Sequence, residues 1–449
     1  MNTVRTLREI IPTVLLLLLV LTQSANSQSA DSMFTLKSCI EYSLKYNPNS
    51  TIYANEADNA RQKNLEALST YLPQIAGTVT SDYNPRLQTN VLTFNGQEST
   101  LTLGQTHSNG AVVQVDQKLY DQSALQALNA RKVNTAIADL NILQNNETLI
   151  YNTSLAYYQV LIYNEQEKLL LEQEKQYREL LVILKLQYDR GVIRKIDYDR
   201  TKVSMNNILS QINLLHTNKK LAYNKLKNAM GMPLETNINI NDTSYVNTKV
   251  NLPQQAGLNV ENRLDYKIMN QNILYKEIDV RMKKAAFAPV LSAYGRYGAN
   301  AYGGEFSNSF TTWYEYSAIG VKLSVPIFSG FAKLSQLNQA QIALTNARER
   351  AKLSVLSYQL DYENSNTKLI SSYTSLTKDR DNLDLAKDVF ETTNLQYKEG
   401  TASLTDFLNA DYSYKEAQNN YINSLLNFMS SRLDYEKSQG TLTAYINQL

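Results

Sequence analysis

The sequence predicts a mainly α-helical chain with a smaller β portion, built as two tandem copies of one unit. Each unit joins a pair of β-strands suited to a barrel wall to a very long antiparallel helical hairpin. Three observations carry this expectation: where the few helix breakers fall, a recurrence of residues at a fixed offset, and short stretches in which apolar and polar residues alternate.

The 449 residues hold 15 glycines and 8 prolines, about 3% and 2% of the chain where ~7% and ~5% are usual. Residues 111–190 and 331–399 contain neither, and the same is true of 192–230 and 401–439. Inside a helix glycine costs about 1 kcal/mol and proline about 3 kcal/mol, so such stretches predict unbroken helices. Gly191 and Gly400, Asp197 and Asp406, and Gly231 and Gly440 are each 209 apart, and Leu186-Gln187-Tyr188 recurs as Leu395-Gln396-Tyr397 at that offset. Upstream, Leu119-Tyr120 corresponds to Ile327-Phe328 and Pro73 to Pro289. A register kept over roughly 300 residues indicates a duplication.

Each copy then reads alike. A helix near 50–71, or 265–287, ends at a proline. A β-hairpin follows, about 73–119 or 290–326. Helices at about 122–187 and 331–396 come next, each about 100 Å long at ~1.5 Å per residue. A turn at Gly191 or Gly400 leads to return helices at about 195–230 and 404–439. The expected division is 1–27 as an export signal, 28–231 as the first repeat with its helical hairpin at 122–230, 232–262 as a linker, 263–440 as the second repeat with its helical hairpin at 331–439, and 441–449 as a tail. The signal rests on Arg5 and Arg8, the apolar run Ile10 to Leu21, and the small residues Ala25-Asn26-Ser27. That run is about a dozen residues, short of the ~20 a membrane helix needs.

The long helices carry a seven-residue period: Ile142, Leu149, Ala156, Tyr163, Leu170, Tyr177 and Leu184 in one, Leu369, Leu376, Leu383, Phe390 and Tyr397 in the other. A sustained heptad predicts left-handed supercoiled packing. The glycine-rich intervals alternate with period two. Ile75, Gly77, Val79 and Tyr83 oppose Gln74, Thr78, Thr80 and Asp82; Val113, Val115 and Leu119 oppose Gln114, Asp116 and Lys118; Ile319, Val321, Leu323 and Val325 oppose Lys322 and Ser324. One apolar and one charged face suit a wall between lipid and a watery lumen. Tyr83, Tyr294, Tyr297, Tyr302, Trp313, Tyr314 and Tyr316 gather there, and the polar segments 86–109 and 303–312 read as outward loops. Four strands cannot close a barrel, and open edges cannot face lipid. The barrel must be shared: two copies supply eight strands and three supply twelve.

Charge is nearly balanced, 44 Lys+Arg against 42 Asp+Glu, which argues against a nucleic-acid partner. Cys39 is the one cysteine and reads as a small residue packed in a helix. His107 falls in a predicted outer loop and His216 within a helix. No Cys/His ligand cluster, nucleophile elbow or phosphate-binding loop is present, so neither an enzyme, a metal centre nor a cofactor is expected.

These features together resemble the TolC family of outer-membrane channels over about 34–440. The resemblance is carried by Phe34-Thr35-Leu36-Lys37-Ser38-Cys39-Ile40-Glu41-Tyr42 with Asn47-Pro48, by the helix-to-strand junctions Tyr71-Leu72-Pro73 and Phe287-Ala288-Pro289, by Val325-Pro326-Ile327-Phe328-Ser329-Gly330, and by Tyr397-Lys398-Glu399-Gly400 with Leu404-Thr405-Asp406-Phe407-Leu408-Asn409-Ala410. It implies a homotrimer in the outer membrane, with a shared twelve-stranded transmembrane β-barrel and a periplasmic α-barrel. Such a trimer is the exit duct of a tripartite efflux pump or a type I secretion system. Its implied partners are a periplasmic adaptor, an inner-membrane transporter and outer-membrane lipid.

The resemblance also places the Gly191 and Gly400 turns at the periplasmic tip, where such channels close, and open when an adaptor docks. Docking would use Arg190-Gly191-Val192 and Glu399-Gly400-Thr401. Asp406 matches the first of two aspartate rings at the aperture, while Asn409 stands in place of the second, so cation selectivity is expected to be weaker. Asp197 and Tyr397 match residues that hold the closed state together with an arginine on the next hairpin. Ala402 occupies the arginine's position, leaving Arg194 or Lys195 as candidate substitutes. Asp197 and Asp406 also suit helix N-caps after a turn. The alternative to a channel is a periplasmic coiled-coil adaptor or scaffold, which would have one hairpin flanked by compact β domains.

Overall fold

The computed structural model describes residues 34–94, 97–240 and 257–448. The export segment expected at 1–27 and residues 241–256 of the expected linker lie outside the described residues.

Two short helices open the chain, α1 (Leu36–Tyr46) and α2 (Pro48–Ser69). Thr35 starts α1 with a capping box to Ser38. Asn47 ends α1 and starts α2, its side chain accepting from the Asn49 N–H, with Pro48 in the first turn, where its missing N–H has no partner to lose. After β1 (Gln74–Tyr83), β2 (Gln88–Phe94), β3 (Gln97–Leu103) and β4 (His107–Asp121) come α3 (Gln122–Asp189) and α4 (Lys195–Met230). The second half supplies α5 (Leu264–Ala285), β5 (Val290–Gly303), β6 (Trp313–Ser324), α6 (Ala332–Lys398), α7 (Leu404–Gln439) and the short α8 (Leu442–Ile446). The helices α3 and α6 run 68 and 67 residues, about 100 Å each.

The heptad positions face inward. Leu149, Ala156, Tyr177 and Leu184 of α3 are buried, as are Leu369, Leu376 and Phe390 of α6. The main core forms where α1, the upper parts of both hairpins and the C-terminal residues meet, around Cys39, Tyr157, Val160, Leu226, Met230, Leu433 and Leu442. Cys39 is fully buried there, and burial raises its thiol pKa to about 12. A second cluster, Ile162, Tyr362, Leu369, Leu376, Ile422, Leu425, Phe428 and Tyr435, joins α3, α6 and α7. Residues 441–449, expected as a tail, contain α8, whose Leu442 and Ile446 pack into the main core.

Four strands form one antiparallel sheet in the order β1-β4-β5-β6. The segment 86–109, expected as an outward loop, instead holds a separate two-stranded sheet, β2 with β3, and β4 begins at His107. Its strands are rich in threonine, and the register puts Leu92, Leu101 and Leu103 on one face beside Gln88 and Asn90, a weaker apolar side than that of the larger sheet. The second outward segment, 303–312, contains a 3-10 turn at Phe306–Asn308 and closes onto the sheet through Asn109, whose Nδ2 donates to the Ser309 carbonyl and hydroxyl at 2.9 and 2.8 Å. A bulge falls between Lys118 and Tyr120, so Leu119 leaves the register expected for it and Tyr120 pairs with Leu291.

Candidate functional site

The register builds the two faces of the sheet residue by residue. Ile75 pairs with Val115, Val115 with Gly295 and Gly295 with Ile319; the next rows are Gly77, Val113, Tyr297, Ser317 and Val79, Ala111, Ala299, Glu315. This face is mostly apolar and open: Ile319 is 94% exposed, Val79 81% and Ile75 71%. The opposite face carries Gln74, Asp116, Tyr294 and Gly320 in one row and Ala76, Gln114, Arg296 and Ala318 in the next. Among the described residues no element covers the first face. The outer strands β1 and β6 each have one neighbour, so among the described residues two edges remain unpaired.

At the opposite end of the molecule, both helical hairpins turn on a glycine with positive φ, Gly191 at 73° and Gly400 at 77°. A side chain at either position would meet nothing within 4 Å, so the backbone angle alone demands glycine. Val192 N–H donates to the Gln187 carbonyl at 2.8 Å, and Thr401 N–H to the Gln396 carbonyl at 2.9 Å. The duplication extends to the aromatics: Tyr188 stacks on Tyr198 at 6.2 Å, and Tyr397 on Phe407 at 5.4 Å. Arg190, Gly191, Val192, Glu399, Gly400 and Thr401 are all exposed.

The two tip aspartates diverge in use. Asp406 closes a capping box: its N–H donates to Ser403 Oγ at 3.1 Å, and its carboxylate accepts from the Ser403 hydroxyl at 2.7 Å and the Ser403 N–H at 3.1 Å. Those hydrogen bonds hold its pKa below the ordinary carboxylate value. At the equivalent position to Ser403 the first hairpin has Arg194, which cannot cap. Its guanidinium instead donates to both carboxylate oxygens of Asp197, at 3.1 and 3.3 Å. Arg194 is thus the candidate substitute that reaches Asp197, from the same hairpin, while Lys195 forms no such pair among the described residues. Tyr397 is half-buried, and burial followed by the nearby Asp197 charge raises its phenol pKa. The Asp197 charge is thus felt at Tyr397 across the two hairpins. Asn409 lies one turn beyond Asp406, exposed.

A polar knot that the sequence reading did not single out ties α3 to α7 above the tip. The buried carboxylate of Asp411 accepts from the Tyr177 hydroxyl and from Lys415 Nζ, the latter at 2.6 Å. Lys415 also sits 4.1 Å from the Tyr177 ring centroid. One turn higher, Gln173 Nε2 donates to Gln418 Oε1 at 2.8 Å, both buried. The i,i+4 spacing of Asp411 and Lys415 is visible in sequence; their meeting with Tyr177 is not.

Comparison with known sequences settles the family. The sequence model of the outer membrane efflux proteins matches residues 53–232 and again 261–440. The chain belongs to the outer membrane efflux protein family. Outer membrane protein TolC of Escherichia coli (strain K12) is 24% identical over 429 residues, spanning 88% of this chain and 80% of that protein. Among solved structures, CusC superposes with a TM-score of 0.74 at 15% identity, over 90% of this chain and 91% of that one. The open state of the MtrE outer membrane channel of Neisseria gonorrhoeae superposes with a TM-score of 0.70 at 17% identity, over 94% of each chain. At these identities the structures share the fold. As an outer membrane efflux protein the chain resides in the outer membrane, which agrees with its sheet; no described helix is long and apolar enough to cross a membrane.

Proposed function

We propose that three copies of this outer membrane efflux protein assemble into one passive exit duct, a periplasmic helical tunnel continued by a shared twelve-stranded barrel. The observation that carries this reading is the four-stranded sheet with two unpaired edges and faces of opposite polarity. Lipid tolerates no open edge, so each edge must find a partner, and β6 of one copy beside β1 of the next gives a closed wall. Both solved relatives named above are described as channels, in support of conduction here.

The duct is the outer component of a tripartite efflux pump or a type I secretion system. An inner-membrane transporter selects the cargo, and a periplasmic adaptor docks on the exposed tips Arg190-Gly191-Val192 and Glu399-Gly400-Thr401. Asp197 and Tyr397 contribute to the closed tip, and three copies of Asp406, with Asn409 a turn away, ring the aperture. Because Arg194 satisfies Asp197 within one hairpin, the closed state leans less on a bolt between hairpins. The protein purified from outer membranes should run as a trimer and open ion-conducting pores in planar bilayers; a soluble monomer without conductance would end this reading. Asp406→Ala should alter conductance or its block by divalent cations, and crosslinking at Val192 or Thr401 should capture the adaptor.

A further inference from the structure

The polar face of the sheet is uneven along its length. At the end nearest the helices, Lys118 of β4 and Lys322 of β6 both pair with Ser292 of β5. The two lysines therefore stand in one row on one face, two strand spacings or about 10 Å apart. Four residues further along β5, on the same face, Arg296 pairs with Gln114 and Ala318. The row borders a cavity of about 290 Å³ between the sheet and the end of α2, to which Asp116 and Tyr294 also contribute.

The acidic groups at this level do not cancel the basic ones. Asp121 neutralises Lys118 at 3.3 Å. Asp116 accepts from Gln114 at 2.8 Å. Asp82, the remaining acid of this face, pairs with Ser108 near the far end. Lys322 is exposed and makes no hydrogen bond or ion pair among the described residues. The Arg296 guanidinium lies 5.9 Å from the Tyr316 ring centroid, with no carboxylate partner among the described residues. Lys322 and Arg296 against Asp116 leave one positive charge per chain in excess on the helix-side part of this face, with Asp82 as its counterweight near the far end.

We propose that Lys322 and Arg296, with the Lys118–Ser292–Lys322 row, form a basic collar at the helix-side end of the barrel. The collar is a selectivity element that draws small anions and carboxylate- or phosphate-bearing cargo into the lumen. It rests on the reading of the chain as a trimeric duct, in which the collar repeats in each protomer. Like charges around a water-filled bore raise the local concentration of counter-ions. Asp406 at the aperture carries the opposite sign, so cargo meets two filters of opposite preference in series.

The test uses the full-length trimer in planar bilayers under a KCl gradient near 10 mM, where the screening length of about 30 Å lets the collar's field cross the bore. The reversal potential gives the chloride-to-potassium permeability ratio. Lys322→Gln combined with Arg296→Gln should lower that ratio about threefold, and the difference should fade near 1 M salt, where screening acts over about 3 Å. Lys322→Glu should lower it further. Conducting pores whose ratio is unchanged in these variants overturn the collar and leave the duct standing. If the unsubstituted protein forms no pores, the duct reading fails and the collar with it. Should the Arg296 variant fail to assemble, Lys322→Gln, at an exposed side chain with no partner to lose, decides alone.

Discussion

Removing the Asp411 carboxylate should loosen α7 from α3 without disturbing the four-stranded sheet. The group is 5% exposed and accepts from both the Tyr177 hydroxyl and the Lys415 ammonium. Breaking a buried pair by deleting one partner costs about 3–5 kcal/mol. Lys415 is 21% exposed and can turn its ammonium toward water, which reduces the loss. Tyr177, 2% exposed, cannot turn to water and keeps only Ser204 as a partner, so its loss falls toward the lower part of the about 1–3 kcal/mol that an unpaired buried hydroxyl costs. Asp411→Ala should therefore cost about 2–3 kcal/mol, a 30- to 150-fold rise in local opening. Tyr177→Phe should cost about 1 kcal/mol, since it removes both the hydroxyl and the need to satisfy it. Native-state hydrogen exchange on the detergent-solubilised protein reads this directly: amides around 173–181 and 407–418 should lose protection while those of β4 and β5 do not. The double variant should cost less than the sum, with a coupling of at least about 0.5 kcal/mol. Unchanged exchange in Asp411→Ala, or a loss spread evenly into the sheet, would refute the reasoning.

Other substitutions separate backbone from side-chain causes. Gly400→Ala should cost about 1–2 kcal/mol from its positive φ alone, because the space around it is open, whereas Gly440→Ala should lower the melting temperature further, since its new methyl would meet the Asn262 carbonyl at 2.9 Å. Ser403→Ala should cost about 0.5–2 kcal/mol as a lost cap and return the Asp406 pKa toward the ordinary carboxylate value in an NMR titration. In the parent, the lowered Asp406 pKa makes its contribution present above the ordinary carboxylate range and lost as pH falls through the lowered value. Glu147 has the opposite sign. Burial first, and the Asp265 charge after it, raise its pKa against the pull of Lys437 and Arg263. Its contribution is complete below the ordinary carboxylate range and is lost as pH rises through the raised value. Glu147→Gln should flatten that dependence in melting curves taken across acid to neutral pH.

Much of this was legible because the chain spells its long elements in breakers and periods. Gly191, Gly231, Gly400 and Gly440 mark helix ends whose φ values lie near +70°, and the heptad from Leu149 to Leu184 marks the buried stripe. The β2–β3 hairpin was not legible in that way, because its few apolar residues, Val91 and Leu92 side by side in one strand and Leu101 and Leu103 in the other, are scattered among threonine and glutamine. The bulge at Leu119 was equally hidden, since a slipped register leaves no mark in composition. At the tip, identical aspartates in the two repeats concealed a difference of one upstream residue, Ser403 or Arg194, that turns one into a cap and the other into an ion pair.

Periodicity and breaker placement are properties of neighbours along the chain, so the sequence by itself determined the tandem hairpins, the helix lengths and the two-faced strands. Which residues meet from distant segments depends on how 100-Å helices supercoil and where each strand's register starts, and no local pattern encodes that. Only the tertiary structure could bring Tyr177 to Asp411, put Tyr397 within the field of Asp197, and set Lys118 and Lys322 on opposite sides of Ser292.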